Sequence, residues 1–234
     1  YGLDPNDIKN KLTSKTRAII PMDYGGLSCK ISEIKDIAKK NNLLLIEDAA
    51  ESLGSTIKGK KVGTEADSAI FSFCGNKVLT TGEGGAVITN SREIYEKVKL
   101  IRSHGRLDTI SYFNDTKESR YLELGYNWRM STITACLGLT QLSKIDKLIK
   151  MRQENANYLS SRLSKHPEIS VPMPPKDYEH IYQMYTIRLA NKLREKLREF
   201  LLEKRIFSKV YFNPIHTTEF YNSKFGTYLG MLPI

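Results

Sequence analysis

The first half of the chain alternates short apolar segments with segments of helical periodicity. Four apolar segments predict strands, namely residues 17–21, 43–46, 69–74 and 85–89. Between the first two, one helix face is predicted by the spacing of Ile31, Ile34, Ile37 and Ala38, and residues 93–101 predict a second helix. Strands that alternate with helices are typical of α/β proteins. The pattern therefore predicts a largely parallel sheet flanked by helices.

The second half of the chain changes character. Residues 109–123 are polar and aromatic without clear periodicity and predict an irregular loop, whereas residues 131–163 predict one long helix. Three prolines within residues 171–175 mark an interruption. We therefore expect a large domain at 1–163 and a smaller α+β domain at 164–234. The elements predicted in the smaller domain are a strand at 182–189, a helix at 191–205 and a strand at 208–212.

Composition limits the class of protein. A hydrophobic fraction of 40% is sufficient for a packed core, but every apolar run is far shorter than the ~18 residues of a membrane-spanning helix. The first residues lack the basic and apolar regions of a secretory signal. Cys29, Cys74 and Cys136 are widely separated, which predicts neither a disulfide framework nor a metal site. We expect a cytoplasmic protein without a membrane partner.

The formal net charge of +10 is compatible with nucleic acid, a membrane surface or anionic small molecules as partners, because positive potential attracts all three. Much of the excess lies in the predicted helix at 191–205, opposite an apolar stripe that includes Leu193 and Leu197. A solvated helix face explains this charge better than a binding patch. The sequence also has no helix-turn-helix signal and no aromatic-basic groove pattern, so nucleic acid is not an expected partner.

Two segments carry residues that could do chemistry. Asp48 follows the second predicted strand, and open α/β sheets bind ligands at the carboxyl ends of strands, although a helix N-cap or a surface turn is the alternative. Lys77 follows the third strand after a break at Gly75, so we expect it on a tight turn. The next segment, Thr81-Gly-Glu-Gly-Gly85, permits close backbone approach to a ligand but is equally compatible with a plain turn.

Taken together, these segments resemble the DegT-type sugar aminotransferase family of fold-type-I pyridoxal-phosphate enzymes. The matching motifs run in family order over nearly the whole chain. They are Ile46-Glu-Asp-Ala-Ala-Glu51, Lys58-Gly-Lys-Lys-Val-Gly63, Phe71-Ser-Phe-Cys-Gly-Asn-Lys77, Thr81-Gly-Glu-Gly-Gly85, Arg102-Ser-His-Gly105, Gly125-Tyr-Asn-Trp-Arg-Met130 and Pro214-Ile-His216. Within the family, the stretch from Gly75 to Gly85 is most similar to perosamine-synthase-like enzymes.

The resemblance implies pyridoxal 5'-phosphate as the cofactor and assigns roles to individual residues. Lys77 would hold the cofactor covalently and then act as general base and acid. Asp48 would pair with the protonated pyridine nitrogen, which keeps the ring an electron sink. Ser72 would donate a hydrogen bond to the cofactor phosphate, and Glu51 would lie close to the ring and its hydroxyl group.

The resemblance also implies partners. Asn127 would reach the phosphate in the neighbouring subunit's site, which implies a homodimer with shared active sites. Tyr24 and His216 are implied substrate contacts, with a packed tyrosine and a core histidine as the equally compatible alternatives.

The implied reaction is transfer of an amino group from glutamate to a keto sugar carried on a nucleotide, for amino-deoxy-sugar and cell-surface polysaccharide biosynthesis. An aminocyclitol aminotransferase acting on a keto-inositol would use the same residues, and a non-catalytic member of the fold is a third alternative. Members of the dehydratase branch carry histidine in place of the lysine, so Lys77 argues against that branch.

The chain departs from the family pattern in three places. Cys74 stands where an aromatic residue or histidine is common, and Met22-Asp-Tyr-Gly-Gly26 differs from the usual sequence on the substrate side. The phosphate-binding loop and the ring-stacking aromatic residue that open the family pattern are also missing. We therefore expect a fragment, incomplete at both ends, that binds the cofactor poorly by itself.

Overall fold

The structure is a computed structural model that describes residues 1–106 and 120–231. Most of the irregular loop expected at residues 109–123 lies outside these ranges. None of the helices formed by the described residues is long and apolar enough to cross a membrane.

The chain forms two compact units. The first comprises Tyr1–Lys165 together with Val171–Thr186, and the second comprises His166–Ser170 together with Ile187–Ile234. The domain limit expected after residue 163 stays a prediction. The chain returns to the first unit at Val171, where the proline-rich stretch begins, and the returning segment carries residues that contact the candidate site described below.

The described part of the first unit contains seven strands in two sheets. They are β1 (Ala18–Ile19), β2 (Leu44–Asp48), β3 (Thr56–Ile57), β4 (Lys60–Lys61), β5 (Ser68–Ser72), β6 (Gly85–Thr89) and β7 (Tyr178–Glu179). The main sheet has the order β1-β2-β5-β6, with β1, β2 and β5 parallel and β6 antiparallel at the edge. A small antiparallel sheet has the order β4-β3-β7. The largely parallel main sheet expected from the sequence is confirmed.

The described part of the first unit contains five α-helices. They are α1 (Pro5–Lys11), α2 (Ile31–Lys40), α3 (Arg92–Arg102), α4 (Thr132–Leu142) and α5 (Ile145–Leu163). Of these helices, α2 packs on β2 and α3 packs on β6. The predicted apolar face of α2 is buried in one cluster with Ile19 of β1 and Leu45 of β2. Each fully buried isoleucine contributes about 1.5–3 kcal/mol of transfer free energy, so this face anchors α2 on the parallel strands.

The single long helix expected at 131–163 is wrong, because Ser143 and Lys144 separate α4 from α5. The hydroxyl of Ser143 donates to the carbonyl oxygen of Thr140 at 2.9 Å. A serine hydroxyl that bonds to the backbone competes with continuation of the helix. The helical spacing of apolar residues continues across the break at Ser143 and Lys144, so this spacing did not indicate that the helix ends there.

The strand expected at 182–189 is also wrong. Tyr182 has a φ angle of +49°, which is outside the extended region, and its N–H donates to Nδ1 of His180 at 2.9 Å. Ile181 and Met184 donate their N–H groups at 3.0 and 3.2 Å to carbonyl oxygens of the turn that follows β1. The start of this segment thus bonds to a distant turn, and near its end Arg188 forms only an isolated bridge with Ser170.

The second unit is mainly helical in its described part. It contains α6 (Asn191–Glu203), α7 (Glu219–Phe225) and a short 3₁₀ turn at Ile215–Thr217. The helix expected at 191–205 is confirmed. Its sequence alternates apolar and charged positions at helical spacing, and that local pattern was sufficient to predict it.

The strand expected at 208–212 is wrong, since these residues adopt no strand conformation. A strand needs a partner for its backbone N–H and C=O groups. Ser170 and Arg188 exchange two backbone hydrogen bonds of 2.8 and 2.9 Å, and this bridge is the one pairing within the described residues of the unit. Alternating side chains at 208–212 therefore did not suffice to make a strand.

Candidate active site

The carboxyl ends of β1, β2 and β5 lie side by side at one edge of the main sheet. Asp48 is the last residue of β2, and Ser72 is the last residue of β5. Asp48 is in register with Ile70, so Ser72 extends two residues beyond it. Met22, which follows β1, forms a parallel bridge with Asp48 on the other side. The sheet therefore brings three post-strand segments to the edge where open α/β sheets bind ligands.

Lys77 lies on a tight turn in the loop that leaves β5. Its N–H donates to the carbonyl oxygen of Cys74 at 3.0 Å. The loop folds back on its own start, because Phe73 donates to the carbonyl oxygen of Gly84 and accepts from the N–H of Thr81, both at 2.9 Å. These bonds hold the base of the loop at the sheet edge.

An ion pair joins the Lys77 loop to the segment after β2. Nζ of Lys77 lies 3.6 Å from Oε1 of Glu51, and the two side chains are only 13% and 3% exposed. Oε2 of Glu51 accepts from the N–H of Gly25 at 2.8 Å. Tyr24 precedes Gly25 in the same turn, and burial together with the charge of Glu51 raises the pKa of Tyr24. The segments that carry Lys77, Glu51 and Tyr24 are therefore joined through Glu51.

Asp48 and Ser72 are each held by a local hydrogen bond at the sheet edge. Oδ1 of Asp48 accepts from the N–H of Ala50 at 3.2 Å, and Oγ of Ser72 accepts from the N–H of Cys74 at 3.3 Å. Both side chains are partly buried. These bonds limit the rotation of the two side chains about their first torsion angles.

The remaining two predicted residues are Asn127 and His216. Asn127 is exposed, its Oδ1 accepts from Nε of Arg129 at 3.1 Å, and it lines a surface cavity of about 1130 Å³ with Trp128. His216 lies on the 3₁₀ turn of the second unit, where Nε2 is buried and has no partner among the described residues. Five of the seven predicted residues thus lie at the sheet edge of the first unit, namely Tyr24, Asp48, Glu51, Ser72 and Lys77.

Gln183 also contacts the Lys77 turn and was not selected from the sequence. Its Oε1 accepts from the N–H of Val78 at 3.0 Å, and its Nε2 donates to the carbonyl oxygen of Asn76 at 2.7 Å. The contacting residues are 105 and 107 positions apart along the chain. In the sequence, Gln183 stands out only as an amide side chain between two apolar residues. This pattern does not indicate which residues it contacts.

Two further acidic side chains, those of Asp23 and Glu47, are fully buried next to this edge. Asp23 accepts from the N–H of Cys29 at 2.8 Å and from the hydroxyl of Ser52 at 2.9 Å, and Glu47 accepts from the N–H of Gly63 at 2.9 Å. Burial raises the pKa of both carboxyl groups, and the charge of Asp23 raises the pKa of Glu47 further. The pair therefore retains a proton at a pH where exposed carboxyl groups have lost theirs.

The donor set at the sheet edge fits pyridoxal phosphate. The amine of Lys77 can bond to an aldehyde carbon, the carboxylate of Asp48 can accept from a protonated ring nitrogen, and the hydroxyl of Ser72 can donate to a phosphate. The buried carboxylate of Glu51 beside the amine is the geometric observation that supports this fit. Within residues 1–106 and 120–231, no three His, Cys, Asp or Glu side chains are grouped to hold a metal ion.

The fold and this donor set are those of a pyridoxal-phosphate protein of the α/β class. The chain belongs to the DegT/DnrJ/EryC1/StrS aminotransferase family, whose family model matches residues 1–234. The resemblance inferred from the sequence motifs is therefore confirmed. Family membership and the donor set together indicate pyridoxal phosphate as the cofactor.

Curated relatives of the chain include sugar aminotransferases. The GDP-perosamine synthase of Escherichia coli O157:H7 is 38% identical over 227 residues, which cover 96% of this chain and 60% of the relative. A UDP-4-amino-4,6-dideoxy-N-acetyl-beta-L-altrosamine transaminase of Campylobacter jejuni is 38% identical over 213 residues, which cover 89% of this chain and 55% of the relative. The chain thus spans between about half and two thirds of the length of these relatives.

Solved structures share the fold. Helicobacter pylori PseC, an aminotransferase involved in the biosynthesis of pseudoaminic acid, is 31% identical with a TM-score of 0.90 and matches 100% of this chain and 61% of its own. The protein Spr1654 of Streptococcus pneumoniae in its PLP form is 24% identical, with a TM-score of 0.85, and matches 95% of this chain and 61% of its own. The mixed α/β fold with a mostly parallel sheet is therefore that of sugar aminotransferases.

Proposed function

We propose that the full-length protein transfers an amino group from glutamate to the keto group of a sugar carried on a nucleotide, for amino-sugar and cell-surface polysaccharide biosynthesis. The observation that carries the proposal is the buried pair of Lys77 and Glu51 at the sheet edge that also holds Asp48 and Ser72. Relatives named as GDP-perosamine synthase and as a UDP-amino-sugar transaminase support the choice of a nucleotide-linked sugar.

In this proposal each residue at the sheet edge has a separate task. Pyridoxal phosphate supplies an electron sink when it is bound. Nζ of Lys77 would hold the cofactor, and the free amine would then move a proton as base and acid. Asp48 keeps the ring nitrogen protonated, Ser72 donates to the phosphate, and Glu51 orients the amine of Lys77 and lies beside the ring.

The proposal places the substrate near Tyr24, whose neighbour Gly25 donates its N–H to Glu51 at 2.8 Å. The substrate role of His216 stays a prediction from the family resemblance. The proposal also includes a homodimer in which Asn127 reaches the phosphate of the partner's site. The apolar helix α4 supports a dimer, because apolar residues on several sides of it are exposed. These are Ile133, Leu137, Leu139 and Leu142. We expect sedimentation velocity to give one species with twice the monomer mass.

A cytoplasmic location completes the proposal. Cys29, Cys74 and Cys136 are all free thiols, as is usual for proteins of the reducing cytosol. Fractionation of cells that make the tagged protein tests this location, and recovery in the membrane pellet or outside the cells would contradict it.

Cofactor binding is tested with the purified full-length protein and pyridoxal phosphate. We expect a visible absorbance band of lysine-bound cofactor, and borohydride should then fix the cofactor on the peptide that contains Lys77. Lys77→Ala is the control and should lose both signals. A wild-type protein without the band, or a variant that keeps it, contradicts the assignment.

Substrate class is tested separately, with glutamate as donor and a panel of acceptors. The panel contains GDP- and UDP-linked 4-keto-6-deoxy sugars and a keto-inositol. We expect formation of 2-oxoglutarate with a nucleotide-linked sugar only. Turnover with the keto-inositol alone would identify an aminocyclitol aminotransferase, and cofactor binding without any turnover would favour a non-catalytic member of the fold.

A further inference from the structure

We propose that Gln183 is a positioning residue for Lys77, which it holds through the backbone of the Lys77 turn. The inference rests on the proposed function of Lys77 as the residue that binds the cofactor. It concerns residues of the first unit only, and each of them lies within the described ranges.

The amide of Gln183 clamps the turn on both sides of Lys77. Nε2 donates to the carbonyl oxygen of Asn76 at 2.7 Å, and Oε1 accepts from the N–H of Val78 at 3.0 Å. The two peptide groups on either side of the lysine are therefore fixed by one side chain. An amide is required here, because the turn presents one acceptor and one donor to the same group. Both bonds are to the backbone of the turn and do not involve the side chain of Lys77, whose Nζ pairs with Glu51.

Gln183 is itself held in position by its backbone. Nη1 of Arg152, on α5, donates to the carbonyl oxygens of Tyr182 and Gln183 at 3.0 and 3.3 Å. On the other side, Gly26 has a φ angle of +102°, and a Cβ atom there would lie 2.7 Å from the backbone nitrogen of Gln183. The backbone of Gln183 is therefore held by Arg152 and Gly26, and this fixes the position from which the side-chain amide reaches the turn.

The same segment also locates the partner of the lysine. Met184 donates to the carbonyl oxygen of Gly25 at 3.2 Å, while the N–H of Gly25 donates to Oε2 of Glu51 at 2.8 Å. Glu51 in turn pairs with Lys77 at 3.6 Å. Gln183 and its neighbour thus fix the two ends of the ion pair from one short segment. Through these contacts, residues 183 and 184 constrain the distance between the amine of Lys77 and the carboxylate of Glu51.

Three variants of the full-length protein test the proposal. Gln183→Leu keeps the size of the side chain and removes both hydrogen bonds. Gln183→Glu keeps the acceptor but places a carboxylate oxygen against the carbonyl of Asn76 at neutral pH. Gln153→Leu is the matched control, because Nε2 of Gln153 donates to the carbonyl oxygen of His180 in the same segment at 3.0 Å but makes no bond to the turn.

The first readout needs no cofactor. Hydrogen exchange of the Val78 amide should be about tenfold faster or more in Gln183→Leu, because its buried acceptor is lost. Acylation of Lys77 by acetic anhydride, measured by mass spectrometry against the other lysines, should also become faster because the turn relaxes away from Glu51. Gln153→Leu should match the wild type in both measurements.

The second readout is the cofactor. The apparent dissociation constant of pyridoxal phosphate, from the visible band, should rise about tenfold in Gln183→Leu and change little in Gln153→Leu. In Gln183→Glu the defect should shrink as the pH is lowered, because a protonated glutamate again donates to Asn76. A general loss of packing would give no such pH-dependent rescue.

The two possible failures are distinguishable. If the wild type shows no visible band, the proposed function fails, while Val78 exchange and Lys77 acylation still report whether the clamp exists. If the wild type shows the band but Gln183→Leu leaves exchange, acylation and affinity unchanged, or Gln153→Leu reproduces its effects, the positioning role of Gln183 is overturned.

Discussion

Lys77 and Glu51 form an ion pair across 3.6 Å, with side chains that are 13% and 3% exposed. The two residues come from loops after different strands. Gln183 bonds to the turn that carries Lys77, whereas Glu51 bonds to Gly25, which accepts from Met184. A charged pair so far withdrawn from solvent is stable only while both partners remain, because removing one leaves an uncompensated buried charge. This dependence allows the pair to be tested directly.

A double-mutant cycle measures the coupling between the two residues. We expect Glu51→Gln and Lys77→Met each to lower the free energy of unfolding, and the double variant to be more stable than the sum of the two losses by about 1–2 kcal/mol. Urea-induced unfolding of the four proteins gives the coupling. Additive losses would show that the pair contributes no net interaction.

The acid pair of Asp23 and Glu47 predicts a pH dependence of stability. Burial and the charge of Asp23 raise the pKa of Glu47 to about 8 from a usual 4.5. Above pH 4.5 the unfolded chain has lost a proton that the folded chain still holds, so stability falls as the pH rises to about 8, by at most about 1.4 kcal/mol per pH unit.

The variant Glu47→Gln should remove most of this slope, since the amide keeps an acceptor for Gly63 and carries no titrating proton. Unfolding free energies at intervals between pH 5 and 8 provide the measurement. Equal slopes in the wild type and in Glu47→Gln would be inconsistent with a proton retained by the buried pair.

His180 should make the folded state less stable as the pH falls, which is the opposite pH dependence to that of Glu47. Burial lowers the pKa of its imidazole to about 4, and Nδ1 accepts from the N–H of Tyr182. Between pH 6.5 and 4 the unfolded chain binds a proton that the folded chain does not, so this group destabilises the fold as the pH falls. Nitrogen-detected NMR should show a neutral ring protonated at Nε2 and a titration midpoint near 4. A midpoint near 6.5 would contradict its burial.

Gly26 should be intolerant of any side chain. A Cβ atom there would meet the backbone nitrogen of Gln183 at 2.7 Å and the side chain of Ile181 at 2.9 Å, in addition to the strain of a positive φ angle. We expect Gly26→Ala to lower the free energy of unfolding by about 3 kcal/mol. Gly59→Ala is the control, because Gly59 has a φ angle of +77° with nothing within 4 Å, and should lose only about 1 kcal/mol. Similar losses in both variants would disprove the close approach.

Shared active sites can be tested by subunit mixing. Lys77→Ala and Asn127→Ala should each be inactive as homodimers if Asn127 serves the partner's site. Mixing and re-association should restore about a quarter of the wild-type activity, because half of the dimers then contain one intact site. If Asn127 acts within its own subunit, every site carries a defect and mixing restores nothing.

Much of the main sheet and the main residues of the candidate site could be predicted from local sequence. Residues 85–89 form β6 as predicted, and the buried face of α2 is the predicted one, because both patterns depend on neighbours along the chain. The predictions that were wrong depended on distant partners. Periodicity at 131–163 continued through a serine turn, and alternation at 182–189 did not reveal that this segment bonds to the turn after β1.

The sequence by itself determined the family, through motifs that place Asp48, Ser72 and Lys77 after predicted strands. These residues follow their strands locally, so their order along the chain was enough to expect them at one edge of a parallel sheet. Only the tertiary structure decided what holds Lys77 in place. Its ion pair with Glu51 joins residues 26 positions apart, and the hydrogen bonds of Gln183 span 105 and 107 positions. Contacts across such separations leave no periodic pattern in the sequence.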